Sequence, residues 1–295
     1  MNHKKLKYCL TVILLVLFFT LNVYAFLLDD KKYQKDVPYN NERELKVNIE
    51  SAFGKLNVNR GDKNYIVQIE VVSDKKQGDP LRYVEYEVRD KVGFLKIPAD
   101  GEYSGKKSFH FSGLDSRKTY LDFTDKVPIS FDIELGAGKG NFDFTGLKVK
   151  DLNISTGASS VEIMFDKPNR STIDNINIET GVSKFKAKNL SNANFNSLQF
   201  SGGVGTYELD FGGDLNKEVD VNIEIGLGSL TVKIPEYIGA KIMYEKNWLS
   251  GMDLDRGFSE QEENEFLTDN YNSTKGRMNI KIEAGLGSVK VKIIK

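Results

Sequence analysis

Residues 221–232, VNIEIGLGSLTV, and 280–291, IKIEAGLGSVKV, carry the pattern that decides the fold. In both, apolar residues stand at positions one, three, ten and twelve, with small residues at positions six and eight. Apolar and polar side chains alternating in this way mark a strand with one buried face. Helical spacing is not sustained through the unit. Glycine in the middle permits positive φ and lets neighbouring backbones approach closely. Each unit reads as two strand arms joined by a glycine-centred turn.

Five further copies precede these two: VNIESAFGKLNV (47–58), FDIELGAGKGNF (131–142), LNISTGASSVEI (152–163), INIETGVSKFKA (176–187) and LQFSGGVGTYEL (198–209). The first has Ala52 at position six, and the second has Gly140 at position ten and resumes at Phe142 and Phe144. The arms are symmetric about the centre, setting Ile49 opposite Leu56 and Ile223 opposite Leu230, as in a hairpin or a β-arch. Position four is Glu50, Glu134, Glu179, Glu224 or Glu283 in five copies and Ser155 or Ser201 in the others. Where position nine is Lys55, Lys139 or Lys184, position four is glutamate; Ser155 and Ser201 accompany Ser160 and Thr206. Cross-strand pairing of opposite charges explains this and favours hairpins. A carboxylate row for cations or sugars is the functional reading of the same glutamates, and a solvated ladder with lysine partners is the plainer one.

The second to sixth copies start at 131, 152, 176, 198 and 221, a near-constant period. Such spacing implies stacking, because one unit cannot bury both faces alone. The expected fold is all-β, a solenoid-like stack of about 22 residues per rung, each rung adding about 4.8 Å. The organisation expected is one elongated domain over 26–295: an N-terminal part at 47–130, regular repeats at 131–232 and a C-terminal part at 233–295. YIVQIEVV (65–72), YVEYEV (83–88), FLKI (94–97) and KIPEYIGAKIMY (233–244) are strand candidates in excursions or caps.

Lys4, Lys5 and Lys7 precede an uncharged stretch from Cys9 to Ala25 that ends Val23-Tyr24-Ala25. This is the layout of a signal peptide over 1–25, with an uncleaved anchor as the alternative. Its removal takes away three lysines and no acid, so the formal charge goes from −1 to −4. The remaining chain has no cysteine, which excludes disulfides and zinc–thiolate sites. Mild acidity gives no electrostatic case for nucleic acid.

On PISFDIELGAGKGNFDFTGLKVKDLNISTGASSVEIMFDKPN (128–169), FSGGVGTYELDFGG (200–213), VNIEIGLGSLTVKIPEYIG (221–239) and IEAGLGSVKV (282–291), the chain resembles the toast-rack family of bacterial cell-envelope proteins. That family is akin to adhesin-like and cell-wall-antibiotic-response domains. The resemblance implies a rack of stacked strands in the envelope and supplies no catalytic residues to carry over.

The residues offer little chemistry. His110, in SFHFSG, reads as a strand residue between Phe109 and Phe111, and no Gly-x-Ser-x-Gly elbow accompanies it. GAGKG (136–140) lacks the ending of a phosphate loop and reads as the repeat's turn. Asp253, Asp255, Gly257, Glu260 and Glu262 form an acidic loop whose spacing is not that of an EF-hand. Tyr237, Tyr244 and Trp248 are sugar-stacking candidates that packing explains equally well. The expectation is therefore no catalytic residue, no metal site and no cofactor. It is a non-enzymatic protein exported to the periplasm or surface of a bacterium, a surface for adhesion or for binding an envelope protein or surface glycan, or a reporter of envelope state or stress to a membrane protein, with self-association through edge strands as a further expectation. The alternative is a polysaccharide lyase or hydrolase built on the solenoid, with two carboxylates beside an aromatic platform.

Overall fold

The structure, a computed structural model, describes residues 31–73, 79–98, 117–245 and 249–295, so the signal peptide expected at 1–25, His110 and Trp248 lie outside the described residues. Sixteen described strands form one sheet and are numbered along the chain. The first six are β1 Lys31–Pro38, β2 Glu44–Arg60, β3 Tyr65–Ser73, β4 Glu85–Arg89, β5 Val92–Ile97 and β6 Lys118–Phe123. Then follow β7 Pro128–Asp143, β8 Lys148–Met164, β9 Ile173–Lys188, β10 Phe195–Asp210 and β11 Glu218–Pro235. The last are β12 Gly239–Glu245, β13 Ser250–Leu254, β14 Phe258–Glu262, β15 Glu265–Thr268 and β16 Arg277–Ile294.

Each repeat lies within one long strand: β2, β7, β8, β9, β10, β11 and β16, in that spatial order. Neighbours are parallel and pair like position with like position. Ile49, Ile133, Ile154, Ile178, Phe200, Ile223 and Ile282 form one continuous row. In β11 the buried side chains are Val219, Val221, Ile223 and Ile225, then Leu230, Val232 and Ile234. The inward face switches from odd to even positions across Gly226–Ser229, so the strand bends there and both arms face one core.

The unit is therefore an arch, which corrects the preference for hairpins. Backbone hydrogen bonds run to the rungs on either side, and the described pairings include none between the arms of one repeat. Ile49 and Leu56 share the core without being ladder partners. Gly140 follows from the same packing. A Cβ there would lie 2.7 Å from the Phe142 ring, which fills the position-ten space itself.

The two long intervals build further rungs. β5 pairs with the first arm of β2 and β6 with its second arm, making a split rung outside the first repeat. At the other end β12 and β13 do the same on β16. The last repeat in sequence is thus sandwiched between β11 and a rung the chain has already laid down. Antiparallel strands finish both ends: β4 on β5, β3 and β1 beyond β6, and β15 with β14 beyond β12. Away from the arches, the buried carboxamide of Asn169 ties rungs together, accepting from the Val149 amide and donating to Val149 and Ala193 carbonyls.

Candidate site along the crest of the arches

Position seven stands at the tip of each arch. In-register stacking gathers these residues into a line: Phe53, Ala137, Ala158, Val182, Val204, Leu227 and Leu286. Leu249 extends it, because Ser250 pairs with Gly287 and so places Leu249 level with Leu286. The six larger residues are 40–62% exposed. The chain is reversing its inward face at this point, so a tip side chain has no core to enter. The result is an apolar crest about 34 Å long at the strand spacing.

The glycines beside it are there for contact. A Cβ on Gly136 would lie 2.6 Å from the Ala52 carbonyl oxygen, and one on Gly226 would lie 2.8 Å from that of Gly203. Position six can hold glycine and still let the arches stack at strand spacing. Stripped of side chains, this row becomes the floor of a trough of about 780 Å³ along the first-arm side of the crest. Its outer wall is Glu134, Ser155, Glu179, Ser201, Glu224 and Glu283, continued in register by Glu50. The carboxylate row is real as geometry.

The lysines lie on the other flank. Position nine runs Lys55, Lys139, Ser160, Lys184, Thr206, Ser229 and Ser288. Like charges therefore meet along both rows: Glu50 beside Glu134, Glu224 beside Glu283, and Lys55 beside Lys139. Among the described residues no ion pair joins a position-four glutamate to a position-nine lysine. This corrects the expected cross-strand pairing, whose premise was a hairpin. Opposite charges do meet lower on the second arm, between rungs. Glu208 pairs with Lys186 at 3.0 Å and Lys233 at 2.7 Å, and Glu162 with Lys188 at 2.6 Å.

The other candidates disperse. GAGKG is an arch tip, with Gly136 and Gly138 packed on the rung beside them. Asp255 follows β13 and accepts the Ile293 amide at 3.1 Å, while Glu260 and Glu262 lie on edge strand β14. Among the described residues no group of three or more His, Cys, Asp or Glu side chains is placed to hold a metal ion. Tyr244 is buried, with its hydroxyl 2.6 Å from Ser250 Oγ. Tyr237 is exposed and donates to the Gly213 carbonyl. Among the described residues the trough is lined by no aromatic ring and no cation. What sequence reading missed is the crest, although position seven is apolar in all seven copies.

The profile of the N-terminal domain of toast_rack matches residues 28–188 and, again, 169–233, together more than half of the chain. No curated protein matches. Among solved structures, a "putative cell adhesion protein" from Clostridium sporogenes is 23% identical, with TM-score 0.44, over 90% of this chain and 100% of its own. A "putative adhesin" from Bacteroides fragilis is 14% identical, with TM-score 0.38, over 88% of this chain and 97% of its own. Another from Parabacteroides merdae is 13% identical, with TM-score 0.35, over 90% and 97%.

Proposed function

The chain belongs to the toast-rack family, and we propose that it is an exported, non-enzymatic envelope protein whose arch crest is its binding surface. One observation carries the reading: eight aligned tip residues form an apolar line in solvent, with an acidic row on one flank and lysines on the other. A contiguous apolar feature rimmed by charge is the usual mark of an interaction surface. Export is supported by Lys4, Lys5, Lys7 and the uncharged stretch to Ala25. On this reading residues 26–295 act as one elongated body.

The test compares cells producing the full chain with cells producing a Val182→Ser, Val204→Ser, Leu227→Ser, Leu286→Ser variant. These are exposed positions, so the variant is expected to fold. The parent chain should fractionate with the envelope and resist a wash that releases the variant. Equal release of both would remove the crest from the function. Turnover of a bacterial polysaccharide by the purified chain would replace the proposal with the glycan-enzyme reading.

A further inference from the structure

The crest carries a second pattern that names its occupant; the inference rests on the crest being a binding surface. Lysine stands at position nine in the rungs of β2, β7 and β9, and each of those rungs has glutamate at position four. The two charges flank the same tip on opposite sides: Glu50 with Lys55, Glu134 with Lys139 and Glu179 with Lys184. Rungs β8 and β10 have a hydroxyl on both flanks instead. Among the described residues these partners form no ion pair within one chain, so contacts inside a single rack do not account for the matching.

We infer that the crest binds the crest of a second copy, with the two racks parallel about a twofold axis running along the stack. Two crests can oppose each other in only two symmetric ways. A twofold across the stack reverses one rack and sets acidic flank against acidic flank. A twofold along the stack sets every rung against its own copy and acidic flank against basic flank. Glu134 then faces Lys139 of the other copy, and Glu179 faces Lys184, each pair occurring twice by symmetry. Like-charge juxtaposition disfavours the first arrangement, and charge complementarity selects the second. Tip residues meet themselves, Val182 on Val182 and Leu286 on Leu286. The rungs of β11 and β16 lack lysine and carry Leu227 and Leu286, so apolar contact replaces charge there.

Size sets the strength. A strip about 34 Å by 10 Å covers roughly 340 Å² per copy, under half of the roughly 800 Å² of a stable interface. The dimer is weak and forms where the chain is concentrated. Lateral pairing through the sheet edges is the competing mode, but β1 exposes Lys31 and Lys32 and β14 exposes Glu260 and Glu262, charges that blunt edges.

Cysteine crosslinking in cells producing the full chain tests the arrangement, in a Cys9→Ser background that removes the one native cysteine. Val182→Cys and Leu286→Cys should each give a dimer band under mild oxidation, at least fivefold above Asn153→Cys on the outer face. Adding Glu179→Lys to Val182→Cys should cut the band several-fold by facing lysine with lysine. Adding Lys184→Glu as well should restore it. No band above the Asn153→Cys level, or a band only when Ala137→Cys and Leu286→Cys chains are mixed, overturns the proposal. If crest serines release the chain from the envelope while no crosslink forms, only the second copy is lost. If crosslinks form while envelope retention survives those serines, the proposed function is lost instead.

Discussion

Tyr207 occupies the space that a side chain on Gly202 would need: a Cβ built there lies 2.6 Å from the tyrosine ring. Other rungs divide this space differently, with Ile225 and Leu230 on the next rung. Gly202→Val should therefore overpack the core and cost about 1–3 kcal/mol. Combining it with Tyr207→Leu restores the Ile225/Leu230 division and should recover most of the loss. Urea unfolding of the single and double variants checks this. A neutral single variant would show that the ring does not own the space.

Gly228 separates conformational strain from rung contact. Its φ is +142°, and a Cβ would press into the Gly205 carbonyl of the neighbouring rung. Gly257 also has positive φ, at +116°, but nothing lies within 4 Å of its Cβ position. Alanine at Gly257 should cost only the backbone strain, about 1 kcal/mol. Gly228→Ala should cost clearly more, because a packed carbonyl must also move. Equal losses in thermal melts would mean that the glycine rows are there for φ alone.

The rungs are legible in the sequence because positions one, three, ten and twelve repeat their apolar character at a steady period. Hairpin and arch are not distinguishable that way, since both bury the same residues and differ only in where the backbone hydrogen bonds go. The matching of Glu134 with Lys139 reads in the sequence as a cross-strand contact, but the arch sets the two side chains on opposite flanks of one tip. The split rungs were harder. FLKI and the KIPEYIGAKIMY segment read as strands, but neither carries small residues at both positions six and eight between two alternating arms, so nothing local shows β5 and β6, or β12 and β13, completing one rung each. The crest is not legible in the sequence because a tip residue beside glycine reads as loop.

The Lys186–Glu208–Lys233 group should make the fold sensitive to acid. A hydrogen bond from Lys233, then one from Lys186, holds the Glu208 carboxyl below its ordinary value. A lowered folded pKa gives stability that is present above the unfolded value of 4.5 and lost as pH falls through the folded value. Glu208→Gln should therefore flatten the decline in urea midpoint below pH 4.5. At neutral pH it should cost under about 1 kcal/mol, since the group is partly exposed. An unchanged acid limb would assign the sensitivity to other carboxylates.

Glu42 tests the N-terminal end of the rack. The side chain is 2% exposed, and both of its oxygens are served: Oε2 accepts the Asn40 amide at 2.7 Å and Oε1 accepts the Tyr86 hydroxyl at 2.6 Å. Burial first, then the hydrogen bond and charge of Glu42, push the Tyr86 hydroxyl well above the ordinary tyrosine value. Tyr86→Phe leaves a buried carboxylate oxygen unpaired, which should cost about 1–3 kcal/mol at pH 7. The same pair sets an alkaline limit. A raised folded pKa gives stability that is complete below the unfolded value of 10.0 and lost as pH rises through the folded one. The parent chain should thus lose stability faster than Tyr86→Phe as pH rises above 10, and the two urea midpoints should converge. A phenylalanine variant as stable as the parent at pH 7 would mean that the hydroxyl does not sustain Glu42, and that the end of the rack is held by its antiparallel strands alone.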